Sequence, residues 1–107
     1  MIVLRSLAFN VYFFVLTAAC LLGFWILLPL PRAGFQGAIR AWQQSTFWGL
    51  RVLCGLTWEV RGRDRIPQGA AVFACKHQSA WDTMAFYALV ADPAYVLKKE
   101  LTRIPFW

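Results

Sequence analysis

An uncharged run at residues 7–30 constrains what this chain can fold into more than any other feature. Only Asn10, Thr17 and Gly23 break its apolar character, and Arg5 and Arg32 bracket it. As a helix rising about 1.5 Å per residue it reaches roughly 30 Å or more, enough to cross the hydrocarbon core of a bilayer. A secretory signal needs a shorter apolar region, about 7 to 15 residues, followed by a small-residue cleavage site. Thr17-Ala18-Ala19-Cys20 has the look of a lipoprotein cleavage site, but the apolar run continues past Cys20 to residue 30. An uncleaved membrane anchor is therefore expected. Whether it spans the bilayer or dips into one leaflet with the next helix is left open. Of the 11 Lys and Arg residues, one, Arg5, precedes the run and the other ten follow it. The positive-inside rule then puts the bulk of the chain in the cytoplasm.

The composition agrees with a partly lipid-solvated chain. At 107 residues there is room for one domain, and 60% hydrophobic with 17% aromatic residues is more apolar surface than a small soluble domain carries. The net charge of +6 is the generic mark of a nucleic-acid binder, but no nucleic-acid motif is present, and an anchored basic chain has anionic lipid as its nearer partner. Arg61, Arg63 and Arg65 read as a solvated basic face drawn to that leaflet. Cys20, Cys54 and Cys75 are odd in number and set among apolar residues, so free thiols in a reducing compartment are expected. With one histidine and no C-x-x-C pair, no metal site of familiar spacing can be built.

Beyond the anchor, Pro29, Pro31 and Gly34 mark a turn. Residues 38–56 read as a second helix, with Ile39, Trp42, Phe47, Leu50, Leu53 and Cys54 compatible with one broad apolar face. It is either an interfacial amphipathic helix or an ordinary packing helix. Strands are expected at residues 57–61, 70–75 and 95–98, with a turn-rich connection at 62–69 and a helix at 83–90 that ends before Asp92-Pro93. The expected fold class is thus α/β: a membrane-associated helical region at 1–56 and the start of a strand-helix domain at 57–107.

The chemistry concentrates at residues 72–82, Val-Phe-Ala-Cys-Lys-His-Gln-Ser-Ala-Trp-Asp. His77 is the side chain suited by type to general base catalysis near neutrality, and Asp82 is near enough to orient its ring. A loop that leaves a strand and enters a helix lies where open α/β sheets place their ligands. Five residues is the wrong offset for stacking on one helix face, so the pair is expected to meet across the loop. Ser79 and the amides at the helix start are candidate donors to a developing oxyanion. Against this stands a plainer account, in which Asp82, at the N-cap or in the first turn, only caps the helix and His77 is a loop residue. A Cys75 nucleophile is disfavoured by its expected apolar strand.

Lys76-His77-Gln78-Ser79-Ala80-Trp81-Asp82 and, some twenty residues on, the stretch from Tyr95 to Phe106 (Tyr-Val-Leu-Lys-Lys-Glu-Leu-Thr-Arg-Ile-Pro-Phe) together resemble the first two motif blocks of the 1-acyl-glycerol-3-phosphate acyltransferase family. Those blocks read N-H-x-S-x-x-D and K-x-E-L-x-x-I-P-x-x-G. The resemblance covers residues 58–107, with the N-terminus matching only in character. Lys76 departs from the usual asparagine, and the glycine closing the second block, the later E-G-T-R block and a proline-containing block do not occur. The chain is therefore expected to be the front part of a longer enzyme, inactive by itself.

The resemblance implies a membrane-bound acyltransferase of phospholipid biosynthesis, at the cytoplasmic face of a bacterial inner membrane. His77 and Asp82 would be catalytic. Lys98, with Lys99 as second candidate, would bind the acceptor phosphate, and Ser79 would assist at the substrate. No cofactor or metal is implied; acyl-CoA or acyl-carrier protein is the co-substrate and a lysophosphatidate the acceptor. Two alternatives stay open: a small membrane-anchored structural or partner-binding protein, and a relative acylating another lysolipid or glycerol 3-phosphate.

Overall fold

The structure, a computed structural model, describes residues 1–103. Two long helices dominate it. Helix α1, Ile2–Leu27, contains the apolar run up to Leu27 and stops two residues before Pro29, whose missing N–H cannot continue the helical bonding. It buries none of its residues fully, so the length and greasiness expected of an anchor are both present in a helix open to its surroundings. Helix α2, Arg32–Gly49, starts six residues earlier than expected: Pro31 occupies its N-cap position, and Gly34 and Gly37, which look like breakers, are accommodated inside it.

The two helices form an antiparallel hairpin. The Tyr12 hydroxyl donates to the Ser45 carbonyl at 2.9 Å, the Trp42 indole N–H donates to Thr17 Oγ1 at 3.1 Å, and Phe24 meets Phe35 near the turn. At the open end Arg5 Nε donates to the Leu53 carbonyl at 2.7 Å. The Ser45 and Thr46 hydroxyls bond back to the Ala41 and Trp42 carbonyls, each four residues earlier, a habit that loosens a helix. Soon afterwards α2 widens into a π-helical turn, Leu50–Cys54. Gly55, at φ 71°, closes it with N–H bonds from Gly55 to Arg51 and from Leu56 to Leu50, a left-handed ending that glycine adopts without steric cost.

The broad apolar face expected of the second helix is in fact divided. Trp42 turns to α1, against Phe13, whereas Phe47 turns the other way, onto Trp58 and Trp81. Helix α3, Ala80–Leu89, packs on that second side. α2 is therefore a packing helix on both flanks, holding the anchor on one and α3 on the other.

The expected strands do not form among the described residues. Residues 57–61, 70–75 and 95–98 carry no regular secondary structure, and residues 71–80 are exposed where a buried strand is expected at 72–75. A strand is completed only by backbone partners from another segment, and among the described residues no backbone–backbone hydrogen bond pairs these stretches with one; the Tyr95 hydroxyl donates to the Thr83 carbonyl of α3 at 2.5 Å instead. Their side chains nevertheless alternate as strands do. Phe73 packs on Phe86 of α3 while Val72 points into the open, and Tyr95 packs on Phe86 and Tyr87 while Val96 is fully exposed. Short 3-10 turns at Arg63–Arg65 and Lys99–Arg103 complete the described chain, and Ile104 and Pro105 of the second motif block lie outside the described residues.

Candidate active site

The site is assembled at the first turn of α3. Ser79, with extended backbone (φ −160°, ψ 168°), is the N-cap, so α3 begins three residues before the helix expected at 83–90 and Asp82 is its third residue. Ser79 Oγ accepts the Trp81 N–H at 3.2 Å, and Asp82 Oδ2 reaches back to accept the Ser79 N–H at 3.0 Å. This reciprocal arrangement is a capping box, in which side chains satisfy donors that a helix start leaves free.

Asp82 does more than cap. Its Oδ2 also accepts the Gln78 N–H at 2.7 Å, and its Oδ1 lies 2.7 Å from Nδ1 of His77. The backbone N–H of Gln78, then that of Ser79, then the His77 ring hold the Asp82 carboxyl far below the usual carboxylate range. An ionised carboxylate only accepts, so Nδ1 of a neutral His77 carries the proton and Nε2 keeps its lone pair. The ring is 72% exposed and the carboxylate 18%: the base faces outward while its holder is covered.

Chemically, an imidazole held this way can work as an oriented general base at the end of a loop. His77, Ser79 and Asp82 come together as the sequence spacing predicts. Of the amides near the helix start, the N–H groups of Gln78, Ser79 and Trp81 are engaged in the capping network. The Ser79 hydroxyl, whose oxygen accepts Trp81, still has its own proton to donate. Lys98 and Lys99 lie at the start of the last 3-10 turn, and among the described residues no hydrogen bond or ion pair joins their side chains to the loop. Cys75 is exposed, its thiol donating to the Lys76 carbonyl at 3.7 Å, and does not sit in an apolar strand. Among the described residues no group of three His, Cys, Asp or Glu side chains is placed to hold a metal ion.

One participant has no role in the motif arithmetic. Trp81, immediately before Asp82, lays its ring on Phe47 of α2, with centroids 5.6 Å apart and planes 8° from parallel, while Trp58 meets both edge-on. A large aromatic between two polar motif positions was its signal.

Residues 57–107, which include this whole network, match the sequence model of the family described as Acyltransferase. Residues 57–107 carry the likeness to the acyltransferase family. The chain is also 37% identical over 87 residues to a 1-acyl-sn-glycerol-3-phosphate acyltransferase of Pseudomonas aeruginosa, an overlap covering 80% of the chain and 34% of that protein. The chain thus spans about a third of the length of that curated relative. No solved structure is significantly similar to it.

Proposed function

We propose that this chain carries the catalytic loop of a membrane-bound enzyme that transfers a fatty acyl group from a thioester, acyl-CoA or acyl-carrier protein, to the free hydroxyl of 1-acyl-glycerol-3-phosphate, forming phosphatidic acid. The observation that carries the reading is the 2.7 Å contact between His77 Nδ1 and Asp82 Oδ1 on an outward-facing ring. Nε2 of His77 takes the proton of the acceptor hydroxyl as its oxygen attacks the thioester carbonyl. The tetrahedral intermediate collapses, the carbon–sulfur bond breaks, and the imidazolium returns the proton to the departing thiolate. Asp82 stabilises the imidazolium while it exists. A thioester is already activated, so no acyl-enzyme is needed.

In this reading Lys98, with Lys99 beside it, binds the acceptor phosphate, and the Ser79 hydroxyl donates to the developing oxyanion. Residues 57–61, 70–75 and 95–98 are strands of an α/β domain, consistent with the alternation of Phe73 with Val72 and of Tyr95 with Val96 about α3. α1 is the anchor that brings the loop to its lipid substrates at the cytoplasmic face of a bacterial inner membrane. The test is His77→Ala in the protein expressed from its own reading frame. Thioester consumption with lysophosphatidate should vanish while flotation with vesicles is unchanged, and retained turnover overturns the assigned base. Thin-layer separation of products, with lysophosphatidate, other lysolipids and glycerol 3-phosphate offered in turn, identifies the acceptor.

A further inference from the structure

The carbonyls of a helix's last turn have no partners within the helix, and a cation there is favoured by the helix dipole. Helix α3 has no basic residue in its own last turn. Arg40 of α2 supplies one. Its Nε donates to the Tyr87 carbonyl at 3.1 Å, and its Nη2 donates to the carbonyls of Ala91 at 2.7 Å and Val90 at 3.4 Å. Arg63 adds a donor to the Ala88 carbonyl at 2.9 Å. At the other end of α3, Phe47 of the same α2 carries the Trp81 ring.

Arg40 and Phe47 are seven residues apart on α2, about 10.5 Å along its axis, and Tyr87 and Trp81 are six apart on α3, about 9 Å. The two helices are therefore gripped at two matched points, which fixes both where α3 sits along α2 and which way it runs. Asp82, the residue that orients His77, directly follows Trp81. The opposite flank of α2 is tied to the apolar helix α1 through Trp42 and Ser45.

We propose that Arg40 is a positioning residue: by locking α3 in register along α2, it sets where the His77–Asp82 pair lies relative to the membrane-seated hairpin. The proposal rests on the acyl-transfer reading above. It makes Arg40 matter for an acceptor embedded in a bilayer and much less for one that diffuses freely to the loop. Arg32 and Gln36 of α2 also reach Asp92 just past α3, but the Arg32–Asp92 pair is solvent-exposed and screened and adds less to the grip than Arg40.

The experiment uses the protein expressed from its own reading frame, with one thioester donor and two acceptors: a long-chain lysophosphatidate in vesicles and a short-chain one dissolved as monomer. Arg40→Met keeps the stem and removes the donors. Its turnover of the vesicle-embedded acceptor should fall about tenfold or more, the cost of a small misplacement of reacting groups, with turnover of the soluble acceptor nearly unchanged. Vesicle flotation should match the parent protein. Equal losses on the two acceptors, or no loss on either, overturn the proposal. Should Arg40→Met fail to fold, Arg40→Lys takes its place. A single ammonium cannot span the same three carbonyls, so a smaller split in the same direction is expected and equal rates overturn it. Failure of the acyl-transfer reading registers separately, as retained activity of His77→Ala on the soluble acceptor.

Discussion

Asp82 holds His77 with one carboxylate oxygen, 2.7 Å from Nδ1, and holds the start of its own helix with the other, through the N–H groups of Gln78 and Ser79. Orientation of the base and capping of α3 are thus one structural event. Asp82→Asn separates them. The amide oxygen can keep the two backbone donors, but its NH2 then faces Nδ1 and forces the proton onto Nε2. A fall in kcat of about 10² to 10⁴ is expected, with helix content by circular dichroism preserved. Unchanged turnover would show that the ring does not act as a base.

The pH dependence follows from the same carboxylate. An unfolded aspartate titrates near about 3.9. Asp82 is held lower when folded, so its stabilising contribution is complete above that value and is lost only as pH falls through the folded pKa. At any pH where the enzyme works, Asp82 stays charged. The acid limb of kcat/KM should therefore follow one ionisation, with a slope of one, and a slope of two on that limb would contradict it. In Asp82→Asn, acid unfolding should lose the part of its steepness that lies below about pH 3.9.

Gly49 is where α2 passes Tyr12 most closely: a Cβ built there would overlap the Tyr12 ring. Gly49→Ala should displace that ring, break the bond from the Tyr12 hydroxyl to Ser45, and lower stability by about 1 to 3 kcal/mol. Gly37, also inside α2, has nothing within 4 Å of its missing Cβ. Gly37→Ala should instead stabilise by roughly 0.5 to 1 kcal/mol. Thermal melts of the two variants in the same detergent should move in opposite directions.

Lys98 provides a test of acceptor recognition. Lys98→Ala should raise KM for lysophosphatidate, by about tenfold or more for a lost charge-assisted contact, and leave KM for the thioester nearly unchanged. Lys98→Arg should recover most of the loss. A rise in the thioester KM instead would move this lysine to the donor side.

What could be read from residue order was what is local. His77 and Asp82 meet because the five-residue step between them, Gln78 and Ser79 of the loop and then the first turn of α3, suffices to bring them together. The helix boundary was misplaced because Asp82 was considered as the cap or a first-turn residue without Ser79 as the cap before it. Trp81 and Arg40 act across α2, through a ring stack and a grip on carbonyls that no spacing along the chain announces. The second helix was started late because Pro29, Pro31 and Gly34 were read as a turn, although α2 begins right after Pro31 and runs through Gly34. The strand at 57–61 was read from the alternation around Glu59 and the one at 70–75 from a short apolar run, yet residues 71–80 are exposed. Ladder hydrogen bonds, which alternation cannot supply, are absent among the described residues.

The bond from Arg5 to the Leu53 carbonyl has a topological consequence. The two limbs of the hairpin close on each other at their open end, so residue 1 and residue 56 emerge together, however deeply the bend sinks. On the membrane-anchored reading proposed above, Arg5 then adds to the basic residues after Cys54 instead of opposing them. Reporters attached at these two positions would be accessible from the same compartment.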